Sequence, residues 1–197
     1  MPAPSDVYPD SGCRLPLPRR ADMDEAGRAM FDRHSDPKGG TLAGLRGPGG
    51  LRLHSPKLAE LENALNRYLR YNAGFSGAVR ELAILVTARE MDSAFEWAAH
   101  ETQARKDGVP PAVIDAVKHR RPVDGMSDTE QAIIRLGREM LGAARQVSPE
   151  TFAAARRIFG DRGLIDLVSL MCHYQGTASL LAAFDVQVPE GKPELPR

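Results

Sequence analysis

Apolar residues recur along this chain at helical intervals, and serine-proline or acidic capping signals bound the segments that carry them. Met23, Ala26, Met30 and Phe31 keep this spacing behind Asp22 and Asp24, predicting a first helix over 22–34. Ser55-Pro56 opens a second, with Leu58, Leu61, Leu65 and Leu69 on one apolar face as far as Asn72. Ser76 caps a third over 77–90, where Val79, Leu82, Ala83, Ile84, Leu85 and Val86 leave hardly a polar face, the pattern of a central helix. Asp92 or Ser93 starts the next, which Gly108 and Pro110-Pro111 close. A short helix follows over 112–119, then a capping box, Ser127-Asp128-Thr129-Glu130, introduces Ile133, Ile134, Leu136, Met140 and Leu141. Ser148-Pro149 begins a helix that stops at Gly160, and the last, over 163–183, is apolar on most sides. No run alternates as a strand does, so the fold class is all-α.

Proline and glycine divide the remainder. Pro2, Pro4, Pro9, Pro16 and Pro18 make residues 1–20 an extended arm, expected to be disordered or laid across a neighbouring subunit. Residues 37–50 are too rich in glycine for regular structure and match no phosphate-binding loop, so they read as a mobile loop. One helical domain over 21–190 and a tail over 191–197 complete the division. The 26 basic and 26 acidic residues cancel, which removes any global field toward nucleic acid or an anionic membrane. Cys13 and Cys172 form no framework, and the start of the chain lacks a signal-peptide pattern. The expectation is a soluble, cytoplasmic protein with no nucleic-acid or membrane partner.

Ionisable groups gather among apolar neighbours at one place. Glu96 and His100 are four apart and share a helix face, which Ser93 extends, while Glu81 on the preceding helix reaches them if the two helices pack antiparallel. A carboxylate beside an imidazole fixes its tautomer and raises its basicity, as a proton-transfer histidine requires. The same spacing also describes an ordinary surface ion pair, but Phe95, Trp97, Ala98 and Ala99 surround this one with apolar bulk. His100-Glu101 fails the zinc-protease pattern because Ala104 holds its second histidine position, and no metal set is read. His173, Cys172, Tyr68 and Tyr71 read first as packing residues, with Tyr68 and Tyr71 also placed to line a pocket.

Arg80-Glu81-Leu82-Ala83-Ile84-Leu85, then Phe95-Glu96-Trp97-x-x-His100 with Ala104 and Gly108, resembles the carboxymuconolactone decarboxylase family and the related alkylhydroperoxidase D-type proteins. In the peroxidase branch two cysteines precede the histidine; here Ser93 and Glu96 hold their positions, so thiol-dependent peroxide reduction is not expected. The resemblance implies a multi-helix bundle assembled as a homo-oligomer, trimer or hexamer, and decarboxylase-like chemistry on a small carboxylated lactone or cyclic acid, with no cofactor. It assigns proton transfer to His100, its tuning to Glu81 and Glu96, and substrate contacts to Arg80, Arg89, Ser93, Trp97 and Tyr71. Two alternatives stand beside it: a peroxide-related role without the thiol pair, and an oligomeric small-molecule-binding protein without catalysis.

Overall fold

The computed structural model describes residues 4–38 and 41–196. Its helices are α1 (Glu25–Ser35), α2 (Pro48–Arg52), α3 (Pro56–Arg67), α4 (Gly77–Glu90), α5 (Ala94–Lys106), α6 (Pro111–Lys118), α7 (Asp128–Leu141) and α8 (Pro149–Ala183). Among the described residues there is no strand, only an isolated bridge between Tyr8 and Cys13. The expected all-α class holds.

α4 is central, as its nearly continuous apolar sequence requires: every residue from Glu81 to Arg89 is buried, and α5, α6, α7 and α8 pack around it. Ile84, Leu85, Val86 and Ala83 have no measurable exposure. Each large aliphatic side chain so enclosed contributes about 1.5–3 kcal/mol. Caps fix the helix starts. The Ser76, Ser127 and Ser148 hydroxyls accept from the backbone N–H groups of Val79, Glu130 and Thr151, and Ser127 with Glu130 forms the full reciprocal box. Gly160, at φ 67°, breaks α8 where the sequence signals a stop, since a left-handed residue cannot continue a right-handed helix.

Three expectations are revised. The leucine face of α3 is not core in the single chain: Leu58, Leu61 and Leu65 are 47%, 58% and 45% exposed, while Ala59 and Leu69 make the buried contacts. A five-residue π-turn, Tyr68–Asn72, interrupts the α-helical periodicity and carries Leu69 into the core. The glycine-rich stretch is partly regular. Gly44–Arg46 forms a 3-10 turn and Pro48–Arg52 a short helix, although Gly39 and Gly40 lie outside the described residues. Gly50 is required there, because a Cβ would sit 1.9 Å from the Leu45 carbonyl oxygen. Finally, the described part of the proline-rich arm, residues 4–20, lies on its own chain. Arg14 N–H donates to Phe184 O and Gln187 N–H to Gly12 O, and Cys13 is buried. The C-terminal tail also returns to the body, with Leu195 against the core and the Arg89 guanidinium donating to Pro196 O.

Candidate functional site

α4 and α5 are joined by a tight turn in which Asp92 adopts φ 48° and Ser93 N–H donates to Ala88 O at 2.8 Å. The two helices therefore run antiparallel, and Glu81 meets His100 although 19 residues separate them. His100 Nδ1 lies 2.6 Å from Glu81 Oε2, and His100 Nε2 lies 3.5 Å from Glu96 Oε2. All three side chains are at least 96% buried.

The two carboxyls are shifted in opposite directions. Burial works against the charge of Glu81, but the hydrogen bond and charge of His100, with Arg70 and Arg80, outweigh it and bring its pKa to about 2. Its Oε1 accepts from Arg80 Nε at 3.0 Å and from Arg70 Nη2 at 3.2 Å. Burial pushes Glu96 the other way, above the ordinary carboxyl range, despite the opposing charges of His100, Arg52 and Arg70. An ionised Glu81 can only accept, so His100 carries its proton on Nδ1, and Nε2 is the nitrogen left for exchange with Glu96 or a ligand. The Tyr174 ring stands edge-on to His100 with centroids 5.2 Å apart; burial keeps its phenol protonated far above the usual range.

Glu96 and His100 form part of the wall of a cavity of about 170 Å³. A cavity of about 150 Å³ admits a benzene-sized guest, so this one accommodates a small substituted ring. Its wall is strongly cationic for a neutral chain: Arg33, Arg52, Arg67 and Arg70 line it with His34, His100 and His173, against the single acidic side chain Glu96. Three buried atoms on residues of this wall, His34 Nδ1, Asn66 Oδ1 and Arg70 Nε, have no hydrogen-bond partner in the chain. Unsatisfied buried polar atoms gathered at one cavity are what a polar ligand or bound water would satisfy. Among the described residues no group of three or more His, Cys, Asp or Glu side chains is arranged to hold a metal ion.

The residues expected to contact substrate divide. Tyr71 lines the cavity at its rim, its ring under the guanidinium groups of Arg70 and Arg80 at 5.2 and 5.5 Å. Arg80 does not line it. Its guanidinium is committed to Glu81, to Asp107 at 2.7 Å and to the Arg70 carbonyl at 3.0 Å, which makes it a brace behind Glu81. Arg89 is tied to the C-terminal tail and Asp92, eight residues along α4 from Glu81. Trp97 is fully enclosed, with Nε1 donating to Glu101 at 2.7 Å, and Ser93 sits at the start of α5; neither borders the cavity.

Residues 56–137 match the profile of the Carboxymuconolactone decarboxylase family. A search of curated proteins finds no match. Two solved structures share the fold. A Ralstonia eutropha JMP134 protein, an uncharacterised peroxidase-related protein with an alkylhydroperoxidase AhpD core, aligns with a TM-score of 0.75 at 17% identity, over 93% of this chain and 95% of its own. An Agrobacterium tumefaciens protein of unknown function, linked by name to AhpD and antioxidant defence, aligns at 0.64 with 18% identity, over 71% of this chain and 95% of its own.

The matched segment supplies only one side of the cavity: Asn63, Asn66, Arg67, Arg70, Tyr71, Phe95, Glu96, Ala99 and His100. Residues flanking it supply the other, from α1 and the segment after it, through Arg52 on α2, to His173, Tyr174 and Thr177 on α8. Sequence spacing gave no reason to single out Arg52 or Arg70. The π-turn that aims Arg70 and Tyr71 inward has no periodic signature, and Arg52 follows a glycine run that reads as loop. His173 and Tyr174 were visible as polar groups on an apolar helix, a pattern shared by ordinary core residues.

Proposed function

We propose that the chain is a cofactor-independent proton-transfer enzyme, a carboxy-lyase of the carboxymuconolactone decarboxylase kind acting on a small carboxylated lactone or cyclic acid. The observation that carries this reading is the Glu81–His100–Glu96 line of contacts ending in a cationic cavity sized for a small ring. The arginines attract and desolvate the substrate carboxylate. As the carbon–carboxylate bond breaks, its electron pair moves into the conjugated carbonyl to give an enolate, and carbon dioxide leaves. The enolate carbon then needs a proton. Glu96, whose burial favours the protonated form, supplies it through His100 Nε2, while Glu81 stabilises the imidazolium formed on the way. Solvent restores the Glu96 proton, and no oxidant or reductant is consumed.

The names of the structural neighbours carry a second reading, a peroxide-related role. Neither cysteine supports a thiol route, since Cys13 is buried in the N-terminal segment, Cys172 is exposed on α8, and neither lines the cavity. The homo-oligomer belongs to the same proposal and is supported by the uncovered leucine face of α3. Carbon dioxide release from a panel of unsaturated lactone and cyclic keto acids tests the lyase reading. Wild type is expected to turn over at least one, with His100→Ala at least ~100-fold slower. Undiminished turnover by His100→Ala, or peroxide consumption that disappears in Cys172→Ser, would overturn it.

A further inference from the structure

His173 also stands beside a carboxylate, on another wall of the same cavity. Its Nδ1 lies 3.1 Å from Glu62 Oε2, as His100 Nδ1 lies 2.6 Å from Glu81 Oε2. Both rings meet Tyr174 edge-on, at centroid distances of 5.6 and 5.2 Å, so one phenol ring separates two imidazoles that border one space. The His173 side chain is 95% buried. Arg52 Nη2 lies 3.7 Å from the same Glu62 oxygen, and Arg52 donates to Thr177 Oγ1 at 2.8 Å. Arg52 and Thr177 therefore hold Glu62 and α8 in register around His173.

Packing alone does not account for this group. Glu62 Oε2 is a buried oxygen with no aligned hydrogen bond, and its charge stands beside the imidazolium that His173 forms on gaining a proton. Among the described contacts His173 Nε2 has no partner, which leaves that nitrogen for whatever the cavity holds. Burial, with Arg52 beside it and Glu62 opposing, lowers the pKa of His173 and keeps it a neutral base at physiological pH.

We propose that His173, backed by Glu62, is a second catalytic acid–base group, and that the cavity also isomerises small unsaturated oxo acids by moving a proton between two carbons. His173 Nε2 takes a proton from the carbon bearing the carboxylate, and the C–H pair flows through the conjugated system into the carbonyl, giving a dienolate. Glu96 passes its proton through His100 Nε2 to the carbon next to the carbonyl. One C–H bond breaks and one forms, the double bond moves by one position, and His173 and Glu96 recover by exchange with water. The idea rests on His100 being the proton-transfer group of the proposed lyase, and it adds the base that removal of a proton requires.

The test uses 4-oxocyclohex-2-ene-1-carboxylate in D₂O, a conjugated ring ketone whose carboxylate is on the γ-carbon. Proton NMR follows loss of the C1 proton and deuterium entry at C3, while released carbon dioxide is measured in parallel. Wild type is expected to catalyse both. His173→Asn and, as a variant that leaves the imidazole in place, Glu62→Gln are expected to lose at least ~100-fold and ~10-fold in exchange, each a larger loss than the same variant shows in carbon dioxide release. His100→Ala is expected to lose both reactions. Exchange at the wild-type rate in His173→Asn, or no enzyme-dependent exchange in wild type, would overturn the second base. Exchange without carbon dioxide release would instead overturn the lyase reading and leave the second base standing.

Discussion

Glu81→Gln is the substitution whose consequences follow most directly from the geometry. The carboxylate has no exposure, and its pKa falls from 4.5 to about 2 because His100, Arg70 and Arg80 all stabilise the charged form more than burial opposes it. At ~1.4 kcal/mol per tenfold change, that fall corresponds to about 3 kcal/mol of stability at neutral pH. Because the folded pKa is depressed, this stability is fully present above the unfolded value of 4.5 and is lost as pH falls through about 2. By pH 3 about 1.5 kcal/mol of it remains. Glutamine keeps the shape without the charge, and its amide donor turned toward Nδ1 forces the imidazole proton onto Nε2. Urea unfolding of wild type and Glu81→Gln at pH 7 and pH 3 should show the gap shrink by about half. A gap that is equal at the two pH values would refute the claim that Glu81 is an ionised anchor.

Glu96→Gln should behave with the opposite sign. Its folded pKa is raised by burial, so wild type loses stability relative to the glutamine variant as pH rises above 4.5, and urea unfolding at pH 5 and pH 8 should show the variant's advantage growing; a constant difference would contradict the protonated state of Glu96. Gly50→Ala places a methyl 1.9 Å from the Leu45 carbonyl oxygen and should cost about 1–3 kcal/mol, seen as a lower melting temperature; an unchanged melt would mean that the turn moves freely. Leu61→Glu with Leu65→Lys puts charge on the exposed face of α3, and light scattering should show a shift toward monomer if a second copy covers that face. The same mass for wild type and variant would remove α3 from the interface.

How much of this was legible depends on the range of the interaction that decides each feature. Ser76, Ser127 and Ser148 act within three residues of themselves, so the starts of α4, α7 and α8 could be read directly. The meeting of Glu81 with His100 needed one further step, two helices joined by a turn too short to allow anything but an antiparallel return. The leucine face of α3 exposes the limit of the method. Periodicity reports that Leu58, Leu61 and Leu65 share a side but not what covers it, and in one chain these leucines remain exposed. Arg80 and Arg89 show a second limit, because an arginine beside a carboxylate serves equally well as a ligand contact or as a brace. The choice depends on Asp107 and Pro196, neither of which the local pattern near the arginine contains.

The same distinction bears on what this site acts upon. The proton-handling groups Glu81, Glu96 and His100 lie within the family segment, on two helices whose juxtaposition follows from a single turn. Arg33, His34, Arg52, His173 and Thr177 come from outside it, on elements that reach the cavity only through the tertiary fold. A family match over 56–137 therefore speaks to the His100 wall and leaves the opposing wall to be read from the structure. That wall holds half of the cavity's arginines and two of its three histidines. The size and charge of the ligand, and the direction in which a proton can be moved across it, are consequently decided by residues the family pattern does not include.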